Sequence, residues 1–204
     1  RSALGLAWGP RTSIEVKPLS WWSVFASYGE GYRSPQARLL EDGEETPFTK
    51  VKSADFGTRF DWGAPLRIVL GGYHTHLSDD VAFDASEGRL ERIGATQRRG
   101  IFTHIHTHPF PWLLGSISAT FVDAELLGPP PASAEEPYPA FTKGQQLPFV
   151  PPLVIRADIG THCVLVDQLG QYPLESRFGL GFSYLSPRPL PYNEFADPVS
   201  LLDL

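Results

Sequence analysis

The chain has 204 residues, with 20 Pro, 19 Gly and no Met, a composition of many short punctuated elements rather than of helices. Its net charge of -6 argues against nucleic acid, which needs a basic face, and its one cysteine, Cys163, excludes a disulfide framework or a cysteine-rich zinc site. No run of about 18 apolar residues is present, so no transmembrane helix is expected; strands that cross a bilayer need only about 9–11 residues of alternating character. There is no starting Met and no secretory leader, so residue 1 reads as internal to a longer gene product.

Period-2 alternation recurs along the chain. The expected strands, in order, are 1–9, 20–30, 51–62, 66–77, 96–108, 112–124, 152–164 and 174–186, with a ninth beginning near 200. In 53–62, Ala54, Phe56, Thr58, Phe60 and Trp62 oppose Ser53, Asp55, Gly57, Arg59 and Asp61. In 113–122, Leu113, Gly115, Ile117, Ala119 and Phe121 share one face. In 154–163, Ile155, Ala157, Ile159, Thr161 and Cys163 oppose a row that carries Arg156, Asp158 and His162. In 176–185, Phe178, Leu180, Phe182 and Tyr184 oppose Arg177 and two glycines. Most of these strands are roughly twice the usual globular length of about 5–6 residues.

A soluble sandwich also alternates, so the connections decide. Segments 63–65 and 109–111 are short, and 10–19 and 165–173 are read as connections no longer than one strand. Segments 31–50, 78–95, 125–150 and 187–199 are long, polar and rich in Pro, Gly and acidic residues. Short and long connections alternate, as in an up-and-down outer-membrane barrel with periplasmic turns and extracellular loops. The fold class is therefore all-β: an antiparallel up-and-down transmembrane β-barrel, of which residues 1–204 form a fragment of about 8–9 strands. Trp8, Trp21, Trp22, Trp62 and Trp112 all lie close to short connections, which predicts a periplasmic aromatic girdle against the outer-membrane lipids. Tyr28, Tyr73, Phe121 and Tyr184 form a second expected girdle at the other rim.

Several segments resemble the β-barrel of TonB-dependent outer-membrane receptors. Ala26-Ser27-Tyr28-Gly29-Glu30-Gly31-Tyr32-Arg33-Ser34-Pro35 is similar to the family's strand-to-loop segment, and 53–59 looks like its next strand. Segment 77–83 resembles an acidic loop start, Arg99-Gly100-Ile101 a following strand, and Leu147-Pro148-Phe149-Val150-Pro151 a Pro-flanked strand entry. Where the family commonly carries Glu two residues after the glycine matched by Gly100, this chain has Phe102. The resemblance implies TonB-energised uptake of a scarce small-molecule ligand such as an iron-siderophore, cobalamin, haem or another metal chelate. The implied partners are a plug domain of the same protein, TonB and membrane lipid; the plug and the last strands lie outside 1–204. No catalysis and no resident cofactor are expected. A passive porin-like barrel shares the strand pattern.

The histidines offer the other chemistry. His106-Thr107-His108-Pro109 resembles the core of JAMM zinc isopeptidases, which would make the chain a soluble β-rich metal-dependent hydrolase. That family needs Ser followed three residues later by Asp; here Ala119 follows Ser116. Hairpin register separates His74 and His76 from His104, His106 and His108 by roughly 15 Å, so they share no ion. His104, His106, His108 and His162, with Arg156 and Asp158, are expected on the polar lumen face near the periplasmic end, as lumen or plug contacts. The same register puts His162 at the height of His106. The facing of His74 and His76 is open.

Overall fold

The structure is a computed structural model; it describes residues 8–33, 49–63, 65–84, 89–128, 143–169, 172–190 and 194–203, with backbone alone at 82–84, 89–92, 167–169 and 173. The strands are β1 (Arg11–Leu19), β2 (Trp22–Arg33), β3 (Thr49–Asp61), β4 (Leu66–Asp84), β5 (Arg89–Phe110), β6 (Leu113–Leu126), β7 (Leu153–Leu169), β8 (Tyr172–Leu185), β9 (Arg188–Pro189), β10 (Phe195–Ala196) and β11 (Val199–Asp203). Nine of them form one sheet in the order β1-β2-β3-β4-β5-β6-β7-β8-β11, every neighbour antiparallel. The pair β9–β10 is a miniature hairpin inside the last long connection. No described residue is helical.

Three boundaries differ from the sequence expectation. The first described strand is 11–19, not 1–9; residues 1–7 lie outside the described residues. Pro10 and Pro18 bracket this stretch and disguise it as a loop, yet it is fully paired from Arg11↔Gly29 to Val16↔Val24, and its register slips only at Pro18. Segment 165–173 is likewise no open connection, since β7 and β8 stay paired to Leu169↔Tyr172. The expected long loop 78–95 is mostly ladder, continuing through bulges around Asp80 to Asp84↔Arg89. The ends of the sheet are nonetheless distinct: tight turns at 20–21, 62–65 and 111–112 lie at one end, and the strand ends Arg33, Thr49, Leu126, Leu153, Leu185 and Val199 at the other.

Because side chains of paired residues share a face, the register sorts them into two surfaces. One carries Ala26, Phe56, Gly72, Ile101, Phe121 and Leu153 across six strands, then Ile155, Phe182 and Leu202. The other carries Ser27, Asp55, Tyr73, Gly100 and Val122, with charged and hydroxyl residues below it. The apolar surface is not a core. Phe56, Ile101, Phe178 and Leu202 are each more than 60% exposed. The buried apolar cluster is small: Ile93, Ala124, Leu126 and Leu147, with Val122 and Val150 against it, on the polar face at the long-loop end. Segment 144–147 closes it, since Leu126 N–H donates to Gln145 O and Leu147 N–H to Ala124 O. An exposed apolar surface of this extent needs an apolar solvent.

Glycines let rings lie flat on the sheet. Phe25 covers Gly57, Phe56 covers Gly72, Phe102 covers Gly71 and Tyr73 covers Gly100, each ring against the glycine directly opposite on the next strand. A Cβ at Gly100 would run into the Phe121 carbonyl oxygen and the Tyr73 ring. At Gly160 the nearest atom would stand at an ordinary 3.6 Å. Gly100→Val is therefore expected to cost about 2–3 kcal/mol, and Gly160→Ala less than about 0.5 kcal/mol. Urea titration of the detergent-folded protein, read by heat-modifiability on SDS gels, checks both.

Candidate functional site

The candidate site is the polar face, and its lower half is built from adjacent register rows. One row runs Arg67, His106, Ser116, Asp158, Gly181 and Asp203 across β4 to β8 and β11. The next row toward the centre runs Arg59, Val69, His104, Ser118, Arg156 and Ser183. The Arg156 guanidinium grips Asp158 with two bonds, Nε to Oδ2 at 2.9 Å and Nη2 to Oδ1 at 2.8 Å. Ser116 Oγ donates to the same carboxylate at 3.4 Å. Gly160, Gly179 and Gly181 leave an open floor beside it, and these residues with His106, His108 and Arg67 line one shallow concavity. His104 and His106, alternate residues on one strand, lean together to a ring separation of 4.2 Å. His108 Nε2 is buried with no hydrogen-bond partner among the described residues.

Sequence reasoning thus placed His104, His106, His108, Arg156 and Asp158 on one surface, and the structure brings them together. His162 needs a correction. Its N–H donates to Trp112 O, so it sits level with the turn; Asp158, through Ser116, is the residue level with His106. Its imidazole instead meets Glu175, Nε2 to Oε2 at 3.1 Å, at the base of the extended β7–β8 hairpin. The offset arises in two registers that sequence arithmetic misjudges, β5–β6 beside the 111–112 turn and β6–β7.

His74 and His76 lie on the opposite, apolar-banded surface, beyond the band, where His74 Nε2 is 3.4 Å from Gln97 Oε1. They share that zone with the Lys50–Glu30 pair at 2.6 Å and the Arg99–Asp123 pair at 2.7 Å. Among the described residues no three His, Cys, Asp or Glu side chains gather to hold an ion.

The aromatics of the banded surface collect at the short-turn end. Trp21, Phe60 and Trp62 stack at 5.7–6.2 Å, Trp22 stacks on Phe60 at 6.4 Å, and Phe110 on Trp112 at 5.5 Å. Trp8 does not belong with them. Glu30 N–H donates to Pro10 O, which carries Trp8 to the long-loop end, because 11–19 is the strand and not the turn. Tyr28, Phe121 and Tyr184 keep to the banded surface, whereas Tyr73 turns to the polar face over Gly100.

One feature escaped the sequence. Asp80 is buried at 3% exposure and binds Arg33 Nη1 at 3.3 Å, Arg98 Nη2 at 2.8 Å and Thr96 Oγ1 at 3.1 Å. Nothing in the chain links residues 47 positions apart; only the sheet register does.

The model of the TonB dependent receptor-like β-barrel matches residues 3–203. This chain belongs to that family. Solved structures with the same fold include the ferric yersiniabactin uptake receptor FyuA from Yersinia pestis, at 16% identity and TM-score 0.66, over 95% of this chain and 28% of that one. The siderophore receptor PiuA from Acinetobacter baumannii aligns at 14% identity and TM-score 0.71, over 94% and 28%. The copper transporter OprC aligns at 12% identity and TM-score 0.62, over 94% and 30%. The chain therefore spans less than a third of the length of these proteins. No curated protein sequence matches it. The family and these neighbours are transport receptors, not enzymes; in a barrel of this kind the banded surface is expected to face outward and the polar surface inward.

Single spin labels check the assignment in the TonB-dependent receptor barrel. A label at Ile101 is expected to be relaxed by oxygen dissolved in lipid. Labels at Phe102 and His104 are expected to respond to a water-soluble nickel chelate instead.

Proposed function

We propose that the protein is a Gram-negative outer-membrane receptor for TonB-energised uptake of a scarce ligand of the iron-siderophore, cobalamin, haem or metal-chelate class. The observation that carries this reading is the continuous ladder from β1 to β11, which superposes on receptor barrels over nearly its whole length. The neighbours supply the cargo class: ferric yersiniabactin and copper stand in the names of two of them.

The lumen shelf supports a plug partner. His104, His106, Arg156 and Asp158 share one surface and present both charge signs to a domain packed inside the barrel. The stacked tryptophans at the tight-turn end fit an interfacial girdle on the periplasmic side, with Trp21, Trp22, Trp62 and Trp112 as its members.

Uptake by cells carrying the full-length receptor tests the function. Radiolabelled ferric chelate is expected to accumulate in a strain with TonB and not in one without it; equal entry in both strains would point to a passive pore. Orientation has its own test in a Cys163→Ser background. A maleimide that does not cross membranes is expected to label Lys143→Cys on intact cells and to leave Pro111→Cys unlabelled until the outer membrane is opened.

A further inference from the structure

We infer that His104 and His106 form a two-imidazole chelate on the polar face for a tetragonal divalent ion, copper first. The inference rests on the receptor reading only for its place on the lumen side.

Alternate residues of a strand point the same way but stand about 6.6 Å apart, farther than two rings on one ion. Here the gap is closed. The two rings lean together to a centroid separation of 4.2 Å, with 33° between their planes. An imidazole nitrogen sits about 2.0 Å from a bound first-row divalent metal, which puts the ring centroid about 3.1 Å from it. Two such rings at right angles around the ion are about 4.4 Å apart, and at a tetrahedral angle about 5.1 Å. The separation of 4.2 Å fits the right-angled case, the geometry of copper(II) and nickel(II) rather than of zinc.

The backbone beneath the pair is fixed. Strand β5 is paired without interruption from Thr96 to Thr107, with β4 on one side and β6 on the other. Both imidazoles are exposed and so open to an ion. On β6, Ser118 stands opposite His104 and Ser116 opposite His106. These short side chains leave the rings room and set hydroxyls where metal-bound water needs partners. Ser116 Oγ carries that contact on to the Asp158 carboxylate at 3.4 Å.

The charges around the pair do not repel a cation. In the two rows that hold the histidines, Arg67 is tied to Asp61 at 2.7 Å, Arg156 to Asp158 at 2.8 Å and Arg59 to Glu15 at 3.3 Å. Asp203 closes the His106 row. Among the described residues each arginine of these rows is thus matched by a carboxylate, with the Asp203 carboxylate left over. On β4 to β7 the next row, Gly71, Phe102, Thr120 and Val154, carries no charge.

The test uses the purified full-length receptor in a background freed of native cysteine, with one nitroxide at Ser183→Cys. Ser183 lies in the His104 row three strands away, about 14 Å. An ion on His74 and His76 would be about 25 Å from that label and would broaden it far less. The probe is copper(II) iminodiacetate, which keeps coordination positions for two imidazoles. It is expected to broaden the nitroxide spectrum of wild type, reversibly with EDTA, and to show two imidazole nitrogens in its own spin-echo modulation. His104→Gln and His106→Gln are each expected to raise the half-effect concentration by at least about 10-fold, and His74→Gln to leave it within about 2-fold. The nickel chelate is expected to displace copper only in excess. Heat-modifiability on SDS gels checks that each variant is folded. Absence of broadening in wild type, or a half-effect concentration unchanged in either His104→Gln or His106→Gln, overturns the inference; loss with His106→Gln alone would assign the ion to His106 and His108 instead. Entry of ferric chelate independent of TonB would overturn the receptor reading and leave the copper result standing.

Discussion

A strand in hydrocarbon has no water to satisfy its backbone, so every N–H and C=O must find a partner on the neighbouring strand. The sheet obeys this across its middle. From Trp22 to Arg33 and from Arg67 to Leu77 the ladders run without interruption, and the irregularities sit elsewhere, at Val16/Leu19, Leu77/Asp80, Thr107/Phe110 and Val164/Leu169. The prolines follow the same rule. Pro18, Pro109 and Pro173 are all at strand ends, where a missing N–H meets a turn or water.

Once the ladder is fixed, side chains have little choice. A one-residue slip would turn Ile101 and Phe121 into the lumen and send Arg98 and Ala124 out. Aromatic rings that lie over glycines add to this pinning. Phe102 is informative, since the family pattern has an acid there: here the ring fills the space over Gly71 and makes the lumen wall apolar at mid-height. Charged side chains of this face flank the Phe102 row on both sides, Arg156 and Asp158 toward the short turns, Asp55 and then the Asp80 cluster toward the long-loop end.

Other contacts are made where the ladder relaxes. The bulge in β4 turns Asp80 to the polar face, and the return of segment 144–147 onto β6 closes a small apolar cluster. At the opposite end the registers of β5–β6 and β6–β7 separate His162 from His106.

The sequence by itself determined the all-β class, the strand alternation, the exposed aromatic rim and the common face of His104, His106 and His108, because these follow from local period-2 order. It misplaced the first strand and Trp8, since Arg11–Leu19 has only Ile14 and Val16 to mark its outward face and two prolines at its flanks. It missed the continued β7–β8 pairing for a related reason: beyond the lipid band the apolar and polar faces no longer need to differ, so alternation fades while hydrogen bonding persists. The tertiary structure alone decided the outward facing of His74 and His76, the level of His162, and the meeting of Arg33, Asp80 and Arg98. Each depends on register and bulges, which are set by pairing between strands and leave no periodic trace in one of them.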